Sequence, residues 1–114
     1  MQAVQIHDHG GPEVLQLVDL PEPTPGPGEI LAKVLAVSVN HLDLWVRRGM
    51  PGMPLPLPMI PGCDGTGEVV AIGEGVTRFV VGDKVIFEPG YSSGSSAHDE
   101  AGNDHLSADY QIRG

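Results

Sequence analysis

Along "QAVQIH", residues 2–7, Ala3, Gln5 and His7 alternate with Gln2, Val4 and Ile6, and a period of two predicts a short strand. "HGGP" (9–12) reads as a turn, and "VLQLVDL" (14–20) as a second strand, the hairpin partner of the first. "PEPTPGPG" (21–28) holds four Pro and two Gly and must run as an extended loop, because Pro lacks an N–H and fixes φ. "EILAKVLAVSVN" (29–40) is the longest apolar run and predicts the central strand. The period then changes. In "NHLDLWVRRG" (40–49) Leu42, Trp45 and Val46 share one helical face and Gly49 closes the segment, so one short helix is expected, with Trp45 packed in the core. "MPGMPLPLPMIPG" (50–62) has five Pro and predicts irregular chain. "TGEVVAIGEGVTRF" (66–79) predicts a strand, a Gly-rich turn and a short return. "VGDKVIFEP" (81–89) predicts a turn and a strand, residues 90–107 a polar loop, and "ADYQIRG" (108–114) the start of another element.

Sixteen Gly and eleven Pro among 114 residues favour many turns and short strands over a helix bundle. The expectation is one mainly β domain over residues 1–114, with one or two short helices and no internal repeat. A net charge of −9 repels phosphate backbones and anionic membrane surfaces, so neither nucleic acid nor membrane is an expected partner. The single cysteine, Cys63, allows no intrachain disulfide. No secretory signal and no apolar stretch of membrane-spanning length is visible, and a cytoplasmic location is expected.

The most specific stretch is "GEGVTRFVVGDKV" (73–85), a tight Gly turn after one strand and a "GD" turn before the next. With "HGGPEVLQLVDLPEPTPGPGEILAKVLAVSVNHLDLWVRRG" and "IPGCDGTGEVVAIGEGVTRFVVGDKV", it resembles the N-terminal, GroES-like domain of the medium-chain dehydrogenase/reductase superfamily along the whole chain. That superfamily holds zinc alcohol dehydrogenases and zinc-free quinone reductases. The resemblance implies a GroES-like, partly open β-barrel. It also explains "SSGSSAHDEAGNDHLSADYQIRG": relatives carry four Cys of a structural zinc lobe where Ser93, Ser96, Asp99 and Ser107 stand here. Hydroxyls do not replace thiolates as zinc ligands, so the lobe is expected to be degenerate and metal-free.

The resemblance also assigns site positions. Asn40 stands where zinc-dependent relatives place a Cys at the start of the helix, and zinc-free quinone reductases commonly have Asn there. His41 falls where relatives place a His or Arg that approaches the cofactor pyrophosphate, a weak cofactor-binding assignment. Leu42 replaces a proton-relay hydroxyl. Asp43 matches an Asp that supports a zinc ligand, and Cys63–Asp64 replace the His and Glu of a "GHE" ligand motif. Asn40, His41, Asp43, Cys63 and Asp64 are therefore the candidate catalytic positions, expected to be vestigial. Read without the resemblance, Cys63 is a small buried hydrophobe, Asp43 a helix-surface carboxylate or one bonded to nearby backbone, and His7, His9, His98 and His105 exposed loop or strand-end residues.

Relatives bind NAD(P)H on a Rossmann domain. The glycines of "GCDGTGEVVAIGEG" lie between strands without the helix that such a site requires. No Rossmann unit is read in this chain, so it is expected to bind no cofactor alone and to lack activity without a Rossmann-domain partner. A chain ending at Gly114 leaves a strand edge open, and a homodimer or higher oligomer through that edge is expected. Three readings follow: the catalytic-type domain of a reductase, a stand-alone self-associating module, or a metal- or small-molecule-binding protein using Cys63, Asp64, Asp43 and His41.

Overall fold

A computed structural model describes residues 1–113. Strands β1 (Gln2–Gln5) and β2 (Gln16–Asp19) form the expected antiparallel hairpin, with Gln2 opposite Asp19. Its connection holds a 3₁₀ turn at Pro12–Val14, which takes the first residue assigned to the second strand from sequence. Strand β3 (Ile30–Val37) leads into helix α1 (His41–Arg48). Strands β4 (Gly65–Ile72) and β5 (Lys84–Phe87) complete a three-stranded antiparallel sheet in the order β3-β4-β5. Two register shifts, at Leu31/Ala32 and Val34/Ala36, bend β3 against β4.

Two sequence expectations change here. The predicted short return after the Gly-rich turn, residues 76–79, forms no strand; the turn instead holds the Pro-rich loop. Gly28 N–H donates to Glu74 O at 2.8 Å and Gly73 N–H to Glu29 O at 2.8 Å. A methyl at Gly73 would collide with the Gly26 carbonyl, so the turn requires a residue without a side chain. Residues 90–107 are not a plain loop. They contain β6 (Gly90–Tyr91), α2 (Ala97–Glu100) and a 3₁₀ turn at Asp104–Leu106, and β6 pairs with β7 (Gln111–Ile112).

The fold is mainly β, in three antiparallel sheets that, among the described residues, stay partly open and do not close into a full barrel. The core is thin: among the described residues only Ile6, Val46 and Val69 are buried apolar side chains. The radius of gyration, 15.6 Å, exceeds the roughly 13 Å expected of a compact domain of this length. Ile6 continues the line of β1 and exchanges two backbone hydrogen bonds with Met59, at 2.9 and 3.0 Å, which docks the 50–62 segment.

Helix α1 buries Val46, but Trp45 is 53% exposed and stands beside His41, against the expectation of core packing. An eight-residue helix packs a single narrow stripe, and Val46 occupies it. The helix end is held by the 9–11 turn: His9 Nδ1 lies 2.9 Å from Val46 O, Gly10 N–H donates to Arg47 O at 2.9 Å, and Arg47 Nε donates to Gly10 O.

Ile6→Ala removes a fully buried side chain from this small core and is expected to lower the unfolding free energy by about 3 kcal/mol, read as a shift in the urea midpoint at unchanged slope.

Candidate functional site

The site is built where β3 ends and β4 begins. Ser38 and Asn40 lie two residues apart in extended chain, so their side chains share one side. Both reach Asp64, which enters β4. Ser38 Oγ donates to Asp64 Oδ1 at 2.8 Å, and Asn40 Nδ2 donates to Asp64 Oδ2 at 3.1 Å. Asn40 Nδ2 also lies 3.8 Å from Cys63 Sγ. Hydrogen bonds from Ser38 first, and Asn40 second, hold the Asp64 carboxyl below the usual carboxylate range. An ionised carboxylate is thus fixed between a hydroxyl and an amide.

Asn40 is the N-cap residue of α1, and Asp43 turns back on it: the Asp43 carboxylate accepts from Asn40 N–H at 2.7 Å. Four of the five candidate positions, Asn40, Asp43, Cys63 and Asp64, therefore meet at one end of α1. His41 does not join them. It is exposed, with its ring centroid 6.5 Å from that of Trp45. Cys63 is only half-buried, so it is not the enclosed hydrophobe that its composition class suggests. Ser38 was not among the sequence candidates; its spacing of two from Asn40 was the available signal.

Neither group implied by the resemblance fits these residues. Among the described residues no three of His, Cys, Asp or Glu form a group that would hold a metal ion. Asp43 is committed to backbone and Asp64 to Ser38 and Asn40, which leaves Cys63 without companion ligands. A dinucleotide pyrophosphate needs a Gly-rich strand-to-helix turn with free N–H groups. The link from β3 to α1 is Ser38–Val39–Asn40, and a carboxylate of the chain already stands at the helix N-terminus.

The serine-rich lobe forms a second polar cluster. Ser96 caps α2, its Oγ accepting from Asp99 N–H at 3.2 Å while the Asp99 carboxylate accepts from Ser96 N–H at 2.8 Å. Ser107, only 8% exposed, places its hydroxyl 2.9 Å from Ser96 Oγ, 3.3 Å from Asp99 Oδ2 and 2.7 Å from Asp109 Oδ1. Ser92 Oγ donates to Asp99 Oδ1. Ser96, Asp99 and Ser107 thus come together, whereas the Ser93 side chain stays outside and meets Ser95 Oγ at 2.7 Å. Ser93 contributes its N–H to Asp109. Ser92 and Asp109 are members that sequence reasoning missed; the Ser107–Asp109 spacing of two was the signal for the latter.

Hydrogen bonds, from Ser92 foremost, lower the Asp99 carboxyl to about 2. Its folded value lies below the unfolded one, so its contribution to lobe stability is complete above about pH 4 and is lost as pH falls toward 2. A carboxyl-carbon NMR titration is expected to give Asp99 a midpoint near 2, and Ser92→Ala is expected to raise that midpoint measurably.

The sequence from 26 to 114 matches the family described as "Alcohol dehydrogenase GroES-like domain". A chloroplast quinone oxidoreductase of Triphysaria versicolor is 46% identical over 89 residues, which cover 75% of this chain and 27% of that protein. The quinone oxidoreductase of Sus scrofa is 38% identical over 105 residues, covering 91% of this chain and 32% of that one. Among solved structures, an NAD-dependent alcohol dehydrogenase superposes with a TM-score of 0.92 at 48% identity, over 98% of this chain and 33% of its own. The Escherichia coli quinone oxidoreductase complexed with NADPH gives 0.70 at 35% identity, over 75% of this chain and 26% of its own. The chain therefore spans about a quarter to a third of the length of these relatives. With a family match over residues 26–114 and a superposition at a TM-score of 0.92, the chain belongs to the alcohol dehydrogenase GroES-like domain family of medium-chain dehydrogenases/reductases.

Proposed function

We propose that this chain is the substrate-side domain of an NAD(P)H-dependent oxidoreductase of the zinc-free quinone reductase kind. The observation that carries the reading is Asn40, whose amide donates to Asp64; the resemblance sets Asn40 at the position of a metal ligand in zinc-dependent relatives. Similarity to the quinone oxidoreductases of Triphysaria versicolor and Sus scrofa supports it. The bound cofactor would supply the hydride; these residues would supply one wall of a cleft and an anionic carboxylate held by Ser38 and Asn40. The substrate class is a carbonyl, quinone or activated alkene. Turnover needs a dinucleotide-binding unit, because the described residues offer no cradle for the pyrophosphate.

A second reading, a self-associating module, is favoured by the exposed apolar side chains Val34, Val37 and Ile86 on the β3-β4-β5 sheet.

The purified chain is expected to oxidise no NADPH against a quinone or aldehyde, and to carry less than about a tenth of a zinc per chain by elemental analysis. Turnover of NADPH by the chain alone would overturn the first reading.

A further inference from the structure

We propose that Met50, Met53 and His9 form a binding site for a soft monovalent metal ion, copper(I); the site stands apart from the reductase reading and shares no residue with it. The segment from Met50 to Met53 makes a tight turn, in which Met53 N–H donates to Met50 O at 3.0 Å and the two methionines pair as an antiparallel bridge. Pro51 at the second position and Gly52 at the third, with φ at +79°, are the residues that a type II turn demands. Residues opposite each other in an antiparallel pair send their side chains to one face, with Cβ atoms about 5 Å apart. The two thioethers therefore leave the turn on the same side, and the Pro–Gly pair holds them there. Each thioether sits on a flexible, unbranched stem, which lets both sulfurs reach one ion.

His9 comes to the same place from the start of the chain. A methyl at Gly49, the residue before Met50, would lie 3.1 Å from His9 Cγ, so the ring rests on the chain that enters the turn. His9, Met50 and Met53 line one recess of about 510 Å³ beside the end of α1. The tautomer of His9 follows from its partner. Val46 O can only accept, so Nδ1, at 2.9 Å, carries the proton. In the neutral ring Nε2 then keeps its lone pair, and among the described residues no hydrogen bond engages it. A ring with one N–H fixed on a backbone carbonyl and the other nitrogen unprotonated has the arrangement of a metal-bound histidine.

The donor set selects the ion. Two neutral thioethers and an imidazole are soft donors that suit copper(I), whereas calcium and magnesium want oxygen and zinc wants thiolate, imidazole or carboxylate. Arg48 is the one permanently charged side chain lining the recess, and its charge opposes a dication twice as strongly as a monocation. The net charge of −9 draws cations to the chain as a whole. The ion is held without change of oxidation state.

The test is anaerobic titration of the purified chain with copper(I) buffered by bicinchoninate, read from methionine methyl signals by NMR. A single ion per chain should move the methyls of Met50 and Met53 and leave those of Met1 and Met59, which do not line the recess. Met50→Leu and Met53→Leu keep the volume and should each weaken binding about tenfold or more. His9→Asn retains an N–H for Val46 O but lacks Nε2, and should weaken binding as much with the amide spectrum of α1 unchanged. Cys63→Ser removes the single thiol and should leave the affinity unchanged. Loss of binding in Cys63→Ser, undiminished affinity in any of the three donor variants, or zinc moving the same methyls as strongly overturns the proposal. So does a chain whose methionine methyls stay still at one equivalent of copper(I). None of these readouts depends on NADPH turnover.

Discussion

Strand β4 is paired on both edges, and the arrangement depends on how closely its neighbours approach it. A side chain at Gly67 would come within 2.9 Å of both the Lys33 carbonyl and the Phe87 ring, and one at Gly65 within 2.8 Å of the Ala36 carbonyl. These two positions let β3 and β5 close on β4, and they let Phe87 lie across it. Val69, two residues on, supplies one of the few buried apolar side chains. Immediately before β4 comes Asp64, so the sheet that holds the fold also sets the carboxylate against Asn40 at the start of α1.

Both polar clusters are organised by hydrogen bonds among short side chains. At α1 an amide and a hydroxyl share one carboxylate. In the lobe, one carboxylate gathers Ser92, Ser96 and Ser107 while a second, Asp109, joins from the other side of Ser107. Charge-assisted bonds of this kind are stronger than neutral ones but need fixed geometry, which the cap of α2 provides.

Much of this was legible in the residues. The period of two at 2–7, the apolar run at 29–40 and the change of period at 40–49 mark β1, β3 and α1, since each is a local pattern. The gathering of Asn40, Asp43, Cys63 and Asp64 followed from family motifs. The fate of Trp45 was not legible, because periodicity gives a face and not what covers it. The lobe's small elements escaped for a related reason. Their backbone is specified by serine and aspartate caps rather than by apolar period, and such caps become visible only when Ser96 and Asp99 are seen bonding reciprocally. His9 likewise gave no sign that it would lie against the last turn of α1, 37 residues away.

The serine and aspartate lobe has one more consequence. A thiolate cage must be loaded with its ion and kept from oxidation, so its shape follows the supply of metal and the redox poise around it. Hydroxyl and carboxylate groups are inert to peroxide and ask nothing of a chelator. The tie that draws Ser107 to Ser96 and Asp99 contains neither thiol nor metal, so its chemistry is independent of both.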